Sequence, residues 1–379
     1  MDGAAPGRGR DGLTRRARAL WPLLILAFLM FACVPATGGA ASASPERSAD
    51  IKRSKLDIVY SGLADADYFK PTSRELLVAA LEAIKGLAKA NGGNADVATP
   101  EFSGETASVI ADFKAFAAAA STIAARNPQL SADRIADAAV NAMLAVKADC
   151  HTYYVKGRTA AARPLAAPDA GPAADRAGLQ YELLAGGVGY ITWHEFVQDG
   201  TYSITDEVRK ALDALLARGA KSWLFDLRGN RGGDPPQAMY SWFLNGEPAI
   251  EFHFRTGSGG VQPAKKELRL PDAYQLPIAI AIDHAAGSSP EFFTLALKEN
   301  ARATVVGERS AGCLGSFLLT ALPDGSQLAI TSMVATGAVT GAAYNGAGIP
   351  PDVPTAPADA VDTAARLLRD QVARGKVSP

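Results

Sequence analysis

The stretch from Pro277 to Glu308 (PIAIAIDHAAGSSPEFFTLALKENARATVVGE) constrains the fold of this chain more than any other. Ile278 to Ile282 is an apolar run of strand length bounded by turn residues, as a buried strand requires. Ala285-Ala286-Gly287 turns the chain. Ser289-Pro290-Glu291 then opens a helix, with Pro in the first turn and an acid where the helix dipole favours it. A second strand, Ala303 to Val306, follows. Ser288 stands at the turn, where a hydroxyl is lifted out of the sheet toward helix amides. The same residues also admit a plainer role, with Ser289 as N-cap and Ser288 as a turn residue.

The rest of the chain repeats this alternation. From Gly187 onward, Val188 to Trp193 reads as a strand and Ser203 to Arg218 as an amphipathic helix. Lys221 to Leu227 reads as a strand, Pro235 to Leu244 as a helix, and Ala249 to Arg255 as an alternating strand near an edge. Ser316 to Leu322 and Gln327 to Val334 form a hairpin through Pro323-Asp324-Gly325-Ser326. Asp359 to Arg374 closes the chain as a helix. Strands alternating with helices predict an α/β layer fold with helices against a largely parallel sheet, over residues 187–379.

Upstream, residues 51–150 read as a helical domain. Thr72 and Glu75 make a capping box ahead of the stripe Leu76, Leu77, Leu81, Ile84 and Leu87. Asn91-Gly92-Gly93-Asn94 ends that helix. Val109, Phe113, Phe116 and Ile123 mark a second, stopped by Asn127-Pro128, and Ser131 starts a third. Residues 151–186, which include the Ala/Pro-rich run from Lys156 to Gly178, are expected to be a linker.

The first 50 residues carry targeting chemistry. Arginines 8, 10, 15, 16 and 18 precede the apolar run Leu20 to Ala32, too short for a comfortable membrane span. Cys33 could be the lipidated cysteine of a bacterial lipoprotein box, giving a membrane tether; Ala41-Ser42-Ala43 is an ordinary cleavage site. Either route predicts an exported protein, whether periplasmic, envelope-anchored or secreted. With 38 basic and 39 acidic residues, nothing favours nucleic acid as a partner. Four histidines without ligand spacing and the absence of CxxC predict neither a metal nor a cofactor. In an oxidising compartment Cys150 and Cys313 could pair or simply be buried.

Arg228-Gly229-Asn230-Arg231-Gly232-Gly233 lies between a strand and a helix, where glycines let backbone amides approach a developing negative charge. It is not a phosphate loop, because it lacks both GxxxxGK[ST] and GxGxxG. Together FDLRGNRGG, AIDHAAGSSPEFFTLALKENARATVVGERSAG and GAGIPPDV resemble the tail-specific, C-terminal processing protease family, which includes the tricorn core and the repeats of interphotoreceptor retinoid-binding protein. Asp149 to Tyr154 matches the family's Asp-x-His-Thr element. The resemblance implies a ClpP/crotonase-like β-α-β core with an N-terminal helical domain, and it implies Ser288 as nucleophile, three residues before Glu291.

Where one branch of the family carries its Lys base, this chain has Cys313, and the linker is too short for that branch's PDZ module. The resemblance therefore points to the PDZ-less, tricorn-like branch, with His151 as base. Asn345 occupies the position of the family's late Glu and is expected to orient the imidazole. Backbone amides of Gly232 and Ser289 are expected to form the oxyanion hole. His284 is the substitute base if His151 fails, and a Cys150–Cys313 disulfide would brace the site. The implied function is an exported serine endopeptidase acting on peptide or protein substrates through a Ser-His acyl-enzyme. The alternative is a catalytically impaired relative that binds peptides or apolar ligands at the cell envelope. Asn345 keeps that alternative open, since Asp→Asn in a Ser-His-Asp triad lowers the rate by about 10⁴. Oligomeric state is left open.

Overall fold

A computed structural model describes residues 54–156, 176–271 and 275–375. The expected leader and tether (1–50, with Cys33) and residues 157–175 of the expected linker lie outside the described residues.

In chain order, the helices α1 (Lys55–Ala66), α2 (Ser73–Ala90), α3 (Ile110–Arg126) and α4 (Ala132–Leu144) come first. The strands β1 (Tyr153–Val155), β2 (Gln180–Leu184) and β3 (Val188–Thr192) follow, then α5 (Ile204–Ala217), β4 (Ser222–Asp226) and the short α6 (Gln237–Ser241). Next are β5 (Pro248–Phe254), β6 (Gly257–Pro263), β7 (Ile278–Ile282), α7 (Ser289–Glu299) and β8 (Ala303–Gly307). The chain ends with β9 (Gly315–Ala321), β10 (Gln327–Gly337), β11 (Val353–Pro354) and α8 (Ala360–Ala373).

The strands form two sheets. One is six-stranded in the order β11-β8-β7-β4-β3-β2, parallel except where β2 pairs with β3. Its central strands are buried on both faces, and the alternation within β7 decides what packs where. Ile278, Ile280 and Ile282 share a core with Val208, Leu212 and Leu215 of α5 and Phe293 and Leu297 of α7. Ala279 and Ala281 face the other way, where their small side chains let Ala360, Ala364 and Leu368 of α8 approach closely.

The second sheet is antiparallel, five-stranded, and built on the long β10, which pairs with β1, β5 and β9. β5 lies between β10 and the edge strand β6, so the strand expected near an edge is near the edge of this antiparallel sheet. β6 (GSGGVQP) has poor strand propensity and forms because the turn after Phe254 returns it along β5. The expected linker contributes β1 to this sheet and β2 to the other. The expected helix from Pro235 to Leu244 shrinks to α6, and α1, unread in the sequence, begins at the Ser54 cap.

The four N-terminal helices cover one face of the antiparallel sheet. Leu322, Leu328 and Ile330 sit in one apolar cluster with Val59, Leu63, Leu77, Ile84 and Met143. The Thr72–Glu75 capping box is present, with Thr72 N–H donating to Glu75 Oε2 at 2.8 Å and Glu75 N–H to Thr72 Oγ1 at 3.1 Å. Ile330, 2% exposed, packs closely on α1, where a Cβ added at Gly62 would meet its Cδ1 at 2.8 Å. Ile330→Ala should lower the unfolding free energy by about 2–5 kcal/mol in urea titrations. A loss below about 1 kcal/mol would mean the helices do not depend on β10.

Candidate active site

β7 delivers Ser288 to the carboxyl end of the parallel sheet, where crossovers leave a crevice. Ser288 has φ 68° and ψ −118°, a region that L residues avoid and that costs on the order of 1–3 kcal/mol. Neighbouring loops hold it there. Gly287 N–H donates to Asn230 O at 3.0 Å, and Ala311 N–H to Ala286 O at 2.9 Å. Gly232 must be glycine, because a Cβ there would stand 2.7 Å from Ser288 Cβ, and its own φ is +98°. Asp283 gathers the turn by accepting from the amides of Gly229, Ala285 and Ala286 at 2.9, 3.0 and 3.1 Å.

Glu291, 1% exposed, is the densest node. Its Oε2 accepts from the backbone N–H of Ser288 at 2.9 Å and of Cys313 at 2.7 Å. Its Oε1 accepts from Ser310 Oγ at 2.6 Å and from Gly312 N–H at 2.7 Å. Burial raises its pKa above the ordinary carboxyl value, and these donors offset only part of that rise. The backbone amides cannot accept a proton, so the shell suits a carboxylate. Ser310 Oγ in turn accepts from Ile349 N–H at 2.7 Å, seating the 344–349 loop on the 310–313 loop. Gly348, at φ +75°, lies where a Cβ would fall on the Ser310 carbonyl oxygen.

His151 arrives from the other sheet, on the turn between α4 and β1. Its Nε2 is 3.3 Å from Ser288 Oγ. Its ring stacks on Phe317 of β9, with centroids 5.8 Å apart and planes at 22°. Its backbone N–H donates to Asp149 Oδ1 at 2.9 Å, a local turn that fixes the direction of the side chain. His151 is buried, and burial lowers its pKa below the ordinary 6.5 while the charge of Asp149 opposes that shift.

Two expected roles need correction. Asn345 does not meet the imidazole; its Nδ2 donates to Asp149 Oδ2 at 3.2 Å. Only the amide NH₂ can face a carboxylate, so Oδ1 points away and, among the described residues, has no partner. The Gly232 N–H is also committed, donating to Asn230 Oδ1 at 3.0 Å. Ser289 N–H lies in the first helical turn, whose amides lack intrahelical acceptors, while Ser289 Oγ donates to Gly233 O at 2.8 Å. His284 is 81% exposed and pairs with Glu308 at 3.1 Å. His253 Nε2 lies 2.8 Å from Thr336 Oγ1, away from this cluster. Asp149 and Asn230 had no role in the reading of the sequence; the i to i+2 bond within the Asp-x-His element was the signal for the first.

Cys150 and Cys313 form a disulfide, with Cα atoms 5.9 Å apart across a sequence separation of 163. It ties the turn carrying His151 to the loop whose Cys313 amide is held by Glu291. Asp149, Cys150 and His151 offer ligand atoms within 4.8 Å of one another, but the disulfide removes the thiolate that a soft metal needs. Closing so long a loop contributes on the order of 3–5 kcal/mol. Non-reduced, unfolded protein should show no reactive thiol at Cys150 or Cys313, and Cys313→Ser should lower stability by that amount. Two reactive thiols at these positions would contradict the pairing.

Comparison with known proteins bears on this cluster. Residues 187–355 match the model of peptidase family S41. The carboxy-terminal processing protease CtpA of Bacillus subtilis (strain 168) is 29% identical over 134 residues, 35% of this chain and 27% of the relative. A probable CtpA-like serine protease of Staphylococcus aureus (strain N315) is 30% identical over 171 residues, 44% of this chain and 33% of the relative. The aligned region thus spans about a third of these relatives. A lipoprotein from Streptococcus agalactiae shares the fold at a TM-score of 0.52 and 16% identity, over 79% of this chain and 97% of that one. A putative peptidase from Parabacteroides merdae does so at 0.50 and 17% identity, over 81% and 99%. Through residues 187–355, this chain is similar to peptidase family S41.

Proposed function

We propose that the chain is an exported serine-type endopeptidase that hydrolyses peptide bonds through an acyl-enzyme on Ser288. One observation carries the reading: a serine held at positive φ has its Oγ 3.3 Å from the Nε2 of a buried histidine. That separation is within reach of proton transfer once substrate tightens the site. Ser288 Oγ attacks the scissile carbonyl while His151 Nε2 takes the hydroxyl proton. His151 returns that proton to the departing amine, and water repeats the sequence to release the acid. Ser289 N–H is the first oxyanion donor; Gly232 N–H joins it only by sharing with, or leaving, Asn230 Oδ1. Each such donor is worth about 3 kcal/mol in the transition state.

Export is supported by the basic and apolar pattern before residue 33 and by a disulfide that an oxidising compartment would maintain. Among the described residues no helix is long and apolar enough to cross a membrane. Peptides and unfolded protein segments are the proposed substrates. A binding protein on the same fold is the second reading, favoured by the engaged Gly232 amide.

The protonation state of His151 sets the pH dependence. A base must be neutral, and burial holds this imidazole below 6.5, so activity should persist at pH 7 and fall as pH drops through a value below 6.5. The same lowered pKa means the unfolded state binds the proton first, so this residue's contribution lowers stability as pH falls below about 6.5. Ser288→Ala should abolish peptide turnover and labelling by a serine-directed fluorophosphonate. His151→Ala should slow both by at least about 10³-fold. A folded wild-type protein that neither labels at Ser288 nor turns over peptides would favour the binding reading.

A further inference from the structure

We propose that Asp149, rather than Asn345, positions His151 and balances its charge, with Asn345 and Thr331 serving to hold Asp149. The proposal rests on Ser288 and His151 being nucleophile and base. The Asp149 side chain is 5% exposed, and its Oδ1 stands 3.9 Å from His151 Nδ1. Among the described residues no Lys or Arg lies within ion-pair distance of it; the imidazole is its sole ionisable nitrogen neighbour. Its hydrogen-bond partners are neutral: His151 N–H at 2.9 Å, Thr331 Oγ1 at 2.6 Å and Asn345 Nδ2 at 3.2 Å. A buried carboxylate with only neutral donors is poised to stabilise a cation that forms beside it, and the imidazolium of the acylation step is that cation.

The tautomer follows from the same geometry. For Nε2 to accept the serine proton, Nδ1 must carry hydrogen. Nδ1 faces Cys150 Sγ at 3.4 Å, a weak acceptor within the disulfide, and Asp149 Oδ1. The 3.9 Å separation is longer than a hydrogen bond and shortens as the ring gains charge. The frame behind Asp149 is rigid. Thr331 lies in the middle of β10, its N–H accepted by Thr152 Oγ1 at 3.0 Å and its O taking the Tyr68 N–H at 2.8 Å. Asn345 sits in the loop that Ser310 and Ile349 seat. Asn345 thus bonds to a carboxylate instead of supplying one.

Other charges surround this pair. Glu291 holds the Ser288 amide, and Asp67, at the end of α1, is raised to about 6 by burial, against its bond from Phe69 and with help from Asp149; Arg255 and Lys147 act on Asp67 in the opposite sense. Asp67 titrates close to a histidine, so a rate profile alone would mix the two. Histidine NMR titration of His151 separates them and needs no turnover.

The test compares wild type with Asp149→Asn, which keeps the shape and removes the charge. The account predicts that the His151 midpoint moves to lower pH, because the Asp149 charge favours imidazolium. It also predicts that kcat falls by about 10²–10⁴-fold with KM little changed. An unmoved His151 midpoint, or a kcat within about twofold of wild type, would overturn it. Asn345→Asp is the second variant. A carboxylate there meets Asp149 and the two share a proton, so kcat should not rise. A higher kcat would mean position 345 is the true partner of His151. If wild type shows no Ser288-dependent turnover the underlying reading fails, yet the NMR shift still decides whether Asp149 and His151 are coupled.

Discussion

The Glu291 carboxylate is the interaction on which the rest of the site depends. It takes the amide of Ser288, the amides of Gly312 and Cys313, and the hydroxyl of Ser310. Hydrogen bonds to a charged group are worth about 1.5–3 kcal/mol each, enough to offset the strain of the serine backbone. Every other part of the cluster can be reached from this node. Through Cys313 it reaches the disulfide and the turn that carries His151. Through Ser310 it reaches Ile349 and the loop that carries Asn345.

This network joins two sheets with different tasks. The parallel sheet delivers Ser288 from β7 and the Gly232 turn from β4 to its carboxyl end, where crossovers leave the chain open to a ligand. The antiparallel sheet anchors the His151 side: Thr152 bonds to Thr331 of β10, and Phe317 of β9 stacks on the imidazole. The N-terminal helices stiffen β10 from behind through Leu328 and Ile330. Substrate chemistry would therefore happen where the two sheets meet, and the Cys150–Cys313 bond crosses that meeting point.

Features written in local pattern could be read in the sequence. The apolar run Ile278–Ile282, the Thr72–Glu75 box and the turn before Ser289 each lie within a few residues of their cause. Ser288 and His151, expected together from the family resemblance, are found 3.3 Å apart across 137 residues of chain. Features that depend on which distant segments meet could not be read locally. β6 has no strand signal of its own and exists through β5. Asn345 was expected to orient the imidazole, and only the fold reveals that it faces Asp149, 196 positions away. Glu291 looked like a helix-dipole acid, because its outer partners lie 19 to 22 residues downstream on another loop.

Glu291→Gln tests the central claim most directly, because it is nearly isosteric and removes one acceptor oxygen. Whichever way the amide turns, an NH₂ group then confronts either two backbone N–H groups or the Gly312 N–H. The measurement is the rate of fluorophosphonate labelling at Ser288 in folded protein, alongside the urea unfolding free energy. The account predicts labelling slowed at least about tenfold and stability lowered by about 3–5 kcal/mol. Unchanged labelling with unchanged stability would contradict it, and Ser288 would then owe its geometry to something other than the Glu291 carboxylate.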